Sequence, residues 1–337
     1  MAVKSYQTAP DGYRALHELA GVGAVAPRGQ IALSGSERAS YLQGLLTNDI
    51  AALTPGSGCY SAWLTPQGRM LTDLHVFESG DMMLLDVPGD ELAATLQRLD
   101  QFLFSEDVQF ADLSESLRAV WLHGPAAARI IEETVSGVAA LAGWPAYRNT
   151  RGQFGGAPAV VARVDQLGVP GFCVYVGPAL VEALLAAFHD AGAPSIDAAS
   201  LEAARIEAGY PVFGVDMTHE TIPLEAGIEG RAISLTKGCY VGQEVIIRVL
   251  HRGQGRVAKK LMALRIEGEV PDRGARLFGK DRDVGVITSA ALSPEHGAIA
   301  LAYLHRDFIA PGTGVEIETP AGRVPATVTE RPIPPVA

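Results

Sequence analysis

The residues best equipped for chemistry stand together in the octapeptide Lys237-Gly238-Cys239-Tyr240-Val241-Gly242-Gln243-Glu244. A thiol attacks or ligates only as thiolate, and nearby cations lower its pKa. Lys237 is two residues from Cys239, and Arg248, His251, Arg252, Arg256, Lys259 and Lys260 follow. Positions 237–260 hold six Lys or Arg against one acid, Glu244, in a chain whose net charge is −11. Such a local positive field is not what the composition predicts. Gly238 and Gly242 allow close backbone approach or a turn through positive φ. Two readings of Cys239 stand side by side: a reactive thiol, or a small apolar residue buried at a strand end.

A second polar constellation is Arg205-Ile206-Glu207-Ala208-Gly209, at a predicted helix C-terminus. Residues two apart do not share a helix face, so the pair is expected to part, with Glu207 either out in solvent, the better reading of these residues alone, or turned toward a cleft. The eight histidines show no paired metal spacing, and no metal site is predicted. Neither a phosphate-binding glycine loop nor a serine nucleophile elbow occurs.

KGCYVGQE, followed by Arg248 and Arg252-Gly253, resembles the signature of the YgfZ family. Those are folate-binding proteins tied to iron–sulfur cluster maintenance and tRNA modification, a branch of the glycine-cleavage T-protein (aminomethyltransferase) superfamily. Arg205–Gly209 and Pro223-Leu224-Glu225-Ala226-Gly227 fit that superfamily as well. The resemblance implies an α+β fold of three lobes around a central opening where tetrahydrofolate sits, ending in a β-barrel domain. It implies Cys239 as the reactive group, assisted by Lys237. It also implies folate contacts from Glu207, Asp73, Arg205, Tyr240, Gln243, Glu244 and Arg248.

Three departures bear on the chemistry. T-proteins carry two adjacent acids where this chain has Thr72-Asp73, and threonine cannot supply the first carboxylate. Val169 stands where they carry a folate-holding Glu, a loss on the order of 1.5–3 kcal/mol for one charged hydrogen bond. Conversely, the T-protein counterpart of the octapeptide generally lacks the cysteine. The leading expectation is therefore a non-catalytic or weakly catalytic folate-binding protein. It would support iron–sulfur enzymes, including tRNA-modifying ones, through transient contacts. A folate-dependent aminomethyltransferase is the alternative, and a plain scaffold is the third reading.

The elements that must position these residues follow from patterning. With 337 residues, 48% hydrophobic and 19% charged, the chain can bury a large core. No leader-like or membrane-length apolar run is visible, and Cys59, Cys173 and Cys239 are too few and too scattered for a disulfide framework or a resident cluster. The cytoplasm is the expected location. The acidic balance argues against direct tRNA binding. Ser34 and Glu37 predict a capping box opening a helix through Leu46. Alternation predicts strands at Cys59–Leu64, Met70–Phe77 and Met82–Val87, and helices are expected at 90–104, 126–135, 178–191 and 197–208. Residues 136–158 read as loop. Beyond residue 255, five short apolar runs between turns predict a small barrel. The domain boundaries are thus placed at 1–254 and 255–337.

Overall fold

The computed structural model describes residues 10–251 and 255–334. Helix α1 (Asp11–Glu18) and the two-residue strand β1 (Gly21–Val22) come first. The first lobe then runs β2 (Arg28–Ser34), α2 (Arg38–Leu45), β3 (Gly58–Leu64), β4 (Met70–Glu78), β5 (Met83–Pro88), α3 (Leu92–Gln101) and β6 (Gln109–Asp112). Its strands form an antiparallel sheet in the order β3-β4-β5-β2-β6. Ile31, Leu33, Trp63, Leu74, Val76 and Leu85 from one face pack under Leu42 and Leu99 of the two helices.

The second lobe repeats the plan with β7 (Arg118–His123), α4 (Ala127–Thr134), β8 (Asn149–Phe154), β9 (Ala157–Arg163), β10 (Gly171–Val176) and α5 (Val181–Asp190). Its sheet order is β1-β7-β10-β9-β8, so the N-terminal strand returns to close it. The other faces of the two sheets meet through Phe77, Leu84, Trp121, Cys173 and Tyr175.

Helix α6 (Ala198–Glu207) leads to the short helices α7 (Pro223–Ala226) and α8 (Glu229–Ala232), and α9 (Gln243–His251) follows the octapeptide loop. The chain then folds into β11 (Lys259–Ile266), β12 (Arg276–Gly279), β13 (Arg282–Ser293), β14 (Gly297–His305), β15 (Gly314–Thr319) and β16 (Gly322–Thr329), a closed barrel ordered β11-β14-β13-β12-β15-β16. The α+β class and the barrel agree with the sequence reading. No described helix is long and apolar enough to cross a membrane.

Some local expectations fail for physical reasons. The Ser34–Glu37 capping box does not form: Ser34 belongs to β2, and Glu37 accepts from the Asp107 amide at 2.7 Å. Strand β8 lies where a loop was expected, because an edge strand half in solvent carries polar residues (Asn149, Thr150, Arg151, Gln153) that hide its period. Strand β12 is four residues long and contains Gly279, too short to register as an apolar run. Arg252 and Gly253 lie outside the described residues.

Candidate functional site

Register decides which polar residues of the first lobe face inward. In the β3–β4 pair Ala62 opposes Asp73 and Tyr60 opposes His75, while Trp63 opposes Thr72. Opposed residues share a sheet face. Thr72 therefore lies on the helix-covered face with Trp63, and Asp73 lies with Tyr60 and His75 on the face turned to the middle of the molecule. A carboxylate at position 72 would therefore point away from that interior face. Asp73 is the acid that reaches it, only 2% exposed.

Around Asp73 is a buried polar cluster drawn from both N-terminal lobes. The Tyr60 hydroxyl donates to Asp73 Oδ2 at 2.7 Å, and Arg28 Nη1 stands 3.5 Å from Oδ1. Arg28 also pairs with Asp86, which accepts from Tyr175 at 2.9 Å and faces His75 Nδ1 at 3.2 Å. Burial alone would raise the Asp86 carboxyl, but Arg28, His75 and Tyr175 outweigh it and hold it at about 2. Burial, then the Arg28 charge, holds the His75 imidazole below its ordinary value. The Arg231 guanidinium lies over both Tyr60 (4.6 Å) and Tyr210 (4.1 Å), a cation fixed by two ring faces.

Next to this cluster is a cavity of about 180 Å³. Arg28, Asp73, Gln166, Tyr210 and Phe213 are among its lining residues. Two of these lining residues carry a buried oxygen, Asp73 Oδ1 and Gln166 Oε1, with no hydrogen-bond partner among the described residues. Buried polar groups are rarely left so, and two such acceptor residues in one lining suit a ligand edge rich in N–H donors. A cleft of about 440 Å³ shares Pro27, Arg28 and Gly89 with this cavity and one of about 520 Å³ lies apart from it, and Asp73 lines neither.

The octapeptide takes a different place. Cys239 is exposed and its thiol is free, whereas Cys59 and Cys173 are buried. Burial pushes the Cys59 thiol up to about 12 and that of Cys173 well above its ordinary value. Lys237 does not serve Cys239: its Nζ donates to the carbonyls of Gln43 (2.7 Å), Leu46 (2.7 Å) and Asn48 (2.8 Å). It is the C-terminal cap of α2, sited where the helix dipole favours a cation, and its three protons are spent there. Gly242 (φ +83°) turns against the β3–β4 hairpin, where an added Cβ would lie 2.5 Å from the Thr65 carbonyl oxygen. Around Gly238 nothing would meet a Cβ. Tyr240 is buried in the core between this loop and β3, its hydroxyl without a hydrogen-bond partner among the described residues. Gln243 and Glu244 begin α9, with Glu244, Arg248 and His251 exposed. Neither Cys239 nor any of these residues lines the Asp73 cavity.

Arg205 is corrected from ligand to staple. Its five N–H groups go to Glu202 (twice), the Tyr210 carbonyl, Asp216 and Ser289, which ties α6 to the 210–216 loop and to β13. Glu207 turns the other way, as spacing required: both its oxygens accept from the Tyr13 hydroxyl, at 3.0 and 2.9 Å. It does not line the cavity. Val169 packs against the cluster of Leu16, Leu167, Ile196 and Leu201.

Sequence reasoning missed Arg28, Tyr60, His75, Asp86, Gln166, Tyr210 and Arg231, whose dispersal across the chain leaves no motif. The only available signal was His75 and Asp86 standing on otherwise apolar strands.

With this geometry in hand, comparison with known proteins is informative. Residues 4–237 match the family model described as the GCVT N-terminal domain, and residues 259–333 match the glycine cleavage T-protein C-terminal barrel domain. An aminomethyltransferase of Rubrobacter xylanophilus is 30% identical over 329 residues, covering 96% of this chain and 84% of the relative. One from Nostoc sp. (strain PCC 7120 / SAG 25.82 / UTEX 2576) is 28% identical over 332 residues, covering 95% and 86%. The crystal structure of glycine cleavage system aminomethyltransferase T from Bartonella henselae superposes with a TM-score of 0.85 at 22% identity, covering 95% of this chain and 88% of that one.

Proposed function

This chain belongs to the glycine cleavage T-protein family, with both of its domains in order, and on that premise we propose that it is a folate-dependent one-carbon (aminomethyl) transferase whose site is the Asp73 cavity. The observation that carries this reading is that Asp73 and Gln166, each with a buried side-chain oxygen that makes no hydrogen bond among the described residues, line one cavity. A reduced pterin offers ring and amino N–H donors along one edge, which is the complement of those acceptors. At about 180 Å³ the cavity is smaller than the roughly 300–1,000 Å³ of a site that engulfs a drug-sized ligand. It has room for the bicyclic head, with the rest of the folate outside.

When bound, tetrahydrofolate would supply the nitrogen that accepts the one-carbon unit. The chain's own part is to hold and orient it. Asp73 accepts an N–H at Oδ1 while Tyr60 fixes Oδ2, and this places a carboxylate to steer a proton at the ring edge. Tyr210 and Phe213 wall the cavity, and Arg231 is a preset positive charge beside it. Turnover of tetrahydrofolate with an aminomethyl donor, lost in Asp73→Asn, tests the reading. A wild-type protein that neither binds folate nor transfers the unit overturns it.

A second reading rests on a separate observation, the exposed Cys239 thiol in KGCYVGQE. In it the protein supports iron–sulfur enzymes, with folate as its bound cofactor and those enzymes as transient partners, as in the YgfZ branch. Complementation of a cluster-enzyme defect by wild type but not by Cys239→Ser supports it, and full complementation by the variant removes it.

A further inference from the structure

Acids outnumber Lys and Arg by 38 to 27 in this chain, so cations left without a carboxylate stand out. One cleft collects them. It has a volume of about 460 Å³ and lies where the chain enters the barrel, beside the start of β11 and the turn that follows β14. Three of its seven lining residues, Arg256, Lys260 and Arg306, are cations, against one acid, Asp307. The side chains of Arg256 and Lys260 make no hydrogen bond or ion pair among the described residues, and Arg306 reaches only its neighbour Asp307, at 3.9 Å. Asp307 is itself engaged by His305 Nδ1 at 3.3 Å.

The backbone brings these cations together from separate stretches. Gly255, at φ +72°, donates its amide to the Val249 carbonyl at 3.0 Å and reverses the chain after α9. Val257 then packs against the cluster that holds Tyr240 and Ile246. Lys260 pairs in register with Leu304 of β14, and the Arg306 amide donates to the Ala258 carbonyl at 3.0 Å. The β11–β14 pairing thus sets residues 256–260 alongside 304–306.

A carboxylate has two oxygens in one plane and suits a single guanidinium fork. A phosphoryl group offers three oxygens in three directions and can be gripped from separate walls by forks and an ammonium together. Three cations against one engaged acid also call for more than one negative charge. The lining has no aromatic ring on which a nucleobase could stack. Its volume is that of a small-ligand site, not the extended basic face that a nucleic acid needs.

We propose that this cleft binds a compact phosphorylated small molecule carrying two linked phosphoryl groups, held by Arg256, Lys260 and Arg306. It shares no lining residue with the Asp73 cavity, and it stands or falls apart from the folate reading.

The test is calorimetric titration of the full chain with pyrophosphate at low ionic strength. Wild type, Arg256→Gln, Lys260→Gln and Arg306→Gln are compared with Arg129→Gln on α4, which removes the same charge elsewhere. Arg256, Arg306 and Arg129 are exposed, so these variants keep the fold. Wild type and Arg129→Gln should bind one pyrophosphate alike. Each of the other three should bind about tenfold more weakly, the worth of one charge-assisted hydrogen bond. No binding in wild type, or equal binding in all variants, overturns the proposal. Citrate, which presents its charge as carboxylates, should bind more weakly, and citrate binding as tight as that of pyrophosphate overturns the phosphoryl assignment. An oligouridylate that needs the same three cations while pyrophosphate does not bind would give the cleft to nucleic acid, and the proposal falls.

Discussion

The Tyr60 hydroxyl donates to Asp73 Oδ2 at 2.7 Å, while Asp73 Oδ1 makes no hydrogen bond among the described residues and stands 3.5 Å from Arg28 Nη1. One oxygen is fixed by a hydroxyl and the other is held only by the Arg28 charge, in a side chain that lines the cavity. Asp73→Asn should therefore lower one-carbon transfer by about 10²–10⁴-fold, the usual worth of a positioned proton-transfer group. Tyr60→Phe, which frees Oδ2 but keeps the charge, should cost about tenfold. Steady-state rates of the two variants check the ranking.

Lys237 and Cys239 are neighbours in sequence with separate tasks. Lys237→Met strips three carbonyls at the end of α2 of their donor and should lower the unfolding free energy by about 1–3 kcal/mol. The reaction rate of the exposed Cys239 thiol with a disulfide reagent should stay the same. Urea unfolding and thiol kinetics on one preparation separate the two effects. A slower thiol would restore the activating role first expected of Lys237.

Gly242 and Gly238 should answer substitution differently. Gly242→Ala sets a Cβ 2.5 Å from a carbonyl oxygen at φ +83°, and strain of this kind costs about 1–3 kcal/mol. Gly238→Ala meets nothing within 4 Å and should leave stability unchanged. Denaturant midpoints give both values.

Acid sensitivity should come in part from His123. Burial holds its imidazole at about 4, against an ordinary value of 6.5. Between those values the unfolded chain binds the extra proton, so stability is full above pH 6.5 and falls as pH drops toward 4. At pH 5 the loss from this group is about 2 kcal/mol. His75, also lowered by burial, acts with the same sign. Urea unfolding at pH 7 and pH 5 should show a smaller pH difference in His123→Leu than in wild type.

Much of the framework could be read from the residues, because strands such as Met70–Glu78 and Met83–Pro88 show apolar runs cut by clear turns. The site was less legible. Its acid, Asp73, was found through the family resemblance, but its orientation depends on pairing register with β3, which no linear pattern states. Gln166 and Arg231 come from a turn and a four-residue helix, and only tertiary packing brings them to the cavity region. Arg205 looked like a ligand because a guanidinium near a helix end resembles a site until its five donors are traced. The KGCYVGQE loop was legible as special, yet its lysine and its second glycine are explained by docking onto α2 and the β3–β4 turn.

The central claim is that a pterin head sits against Asp73 and Gln166. Calorimetric titration of tetrahydrofolate into wild type, Asp73→Asn and Gln166→Leu tests it most directly. One-to-one binding in wild type, weakened about tenfold or more in each variant, is the predicted result; wild-type affinity retained in both variants would contradict the account.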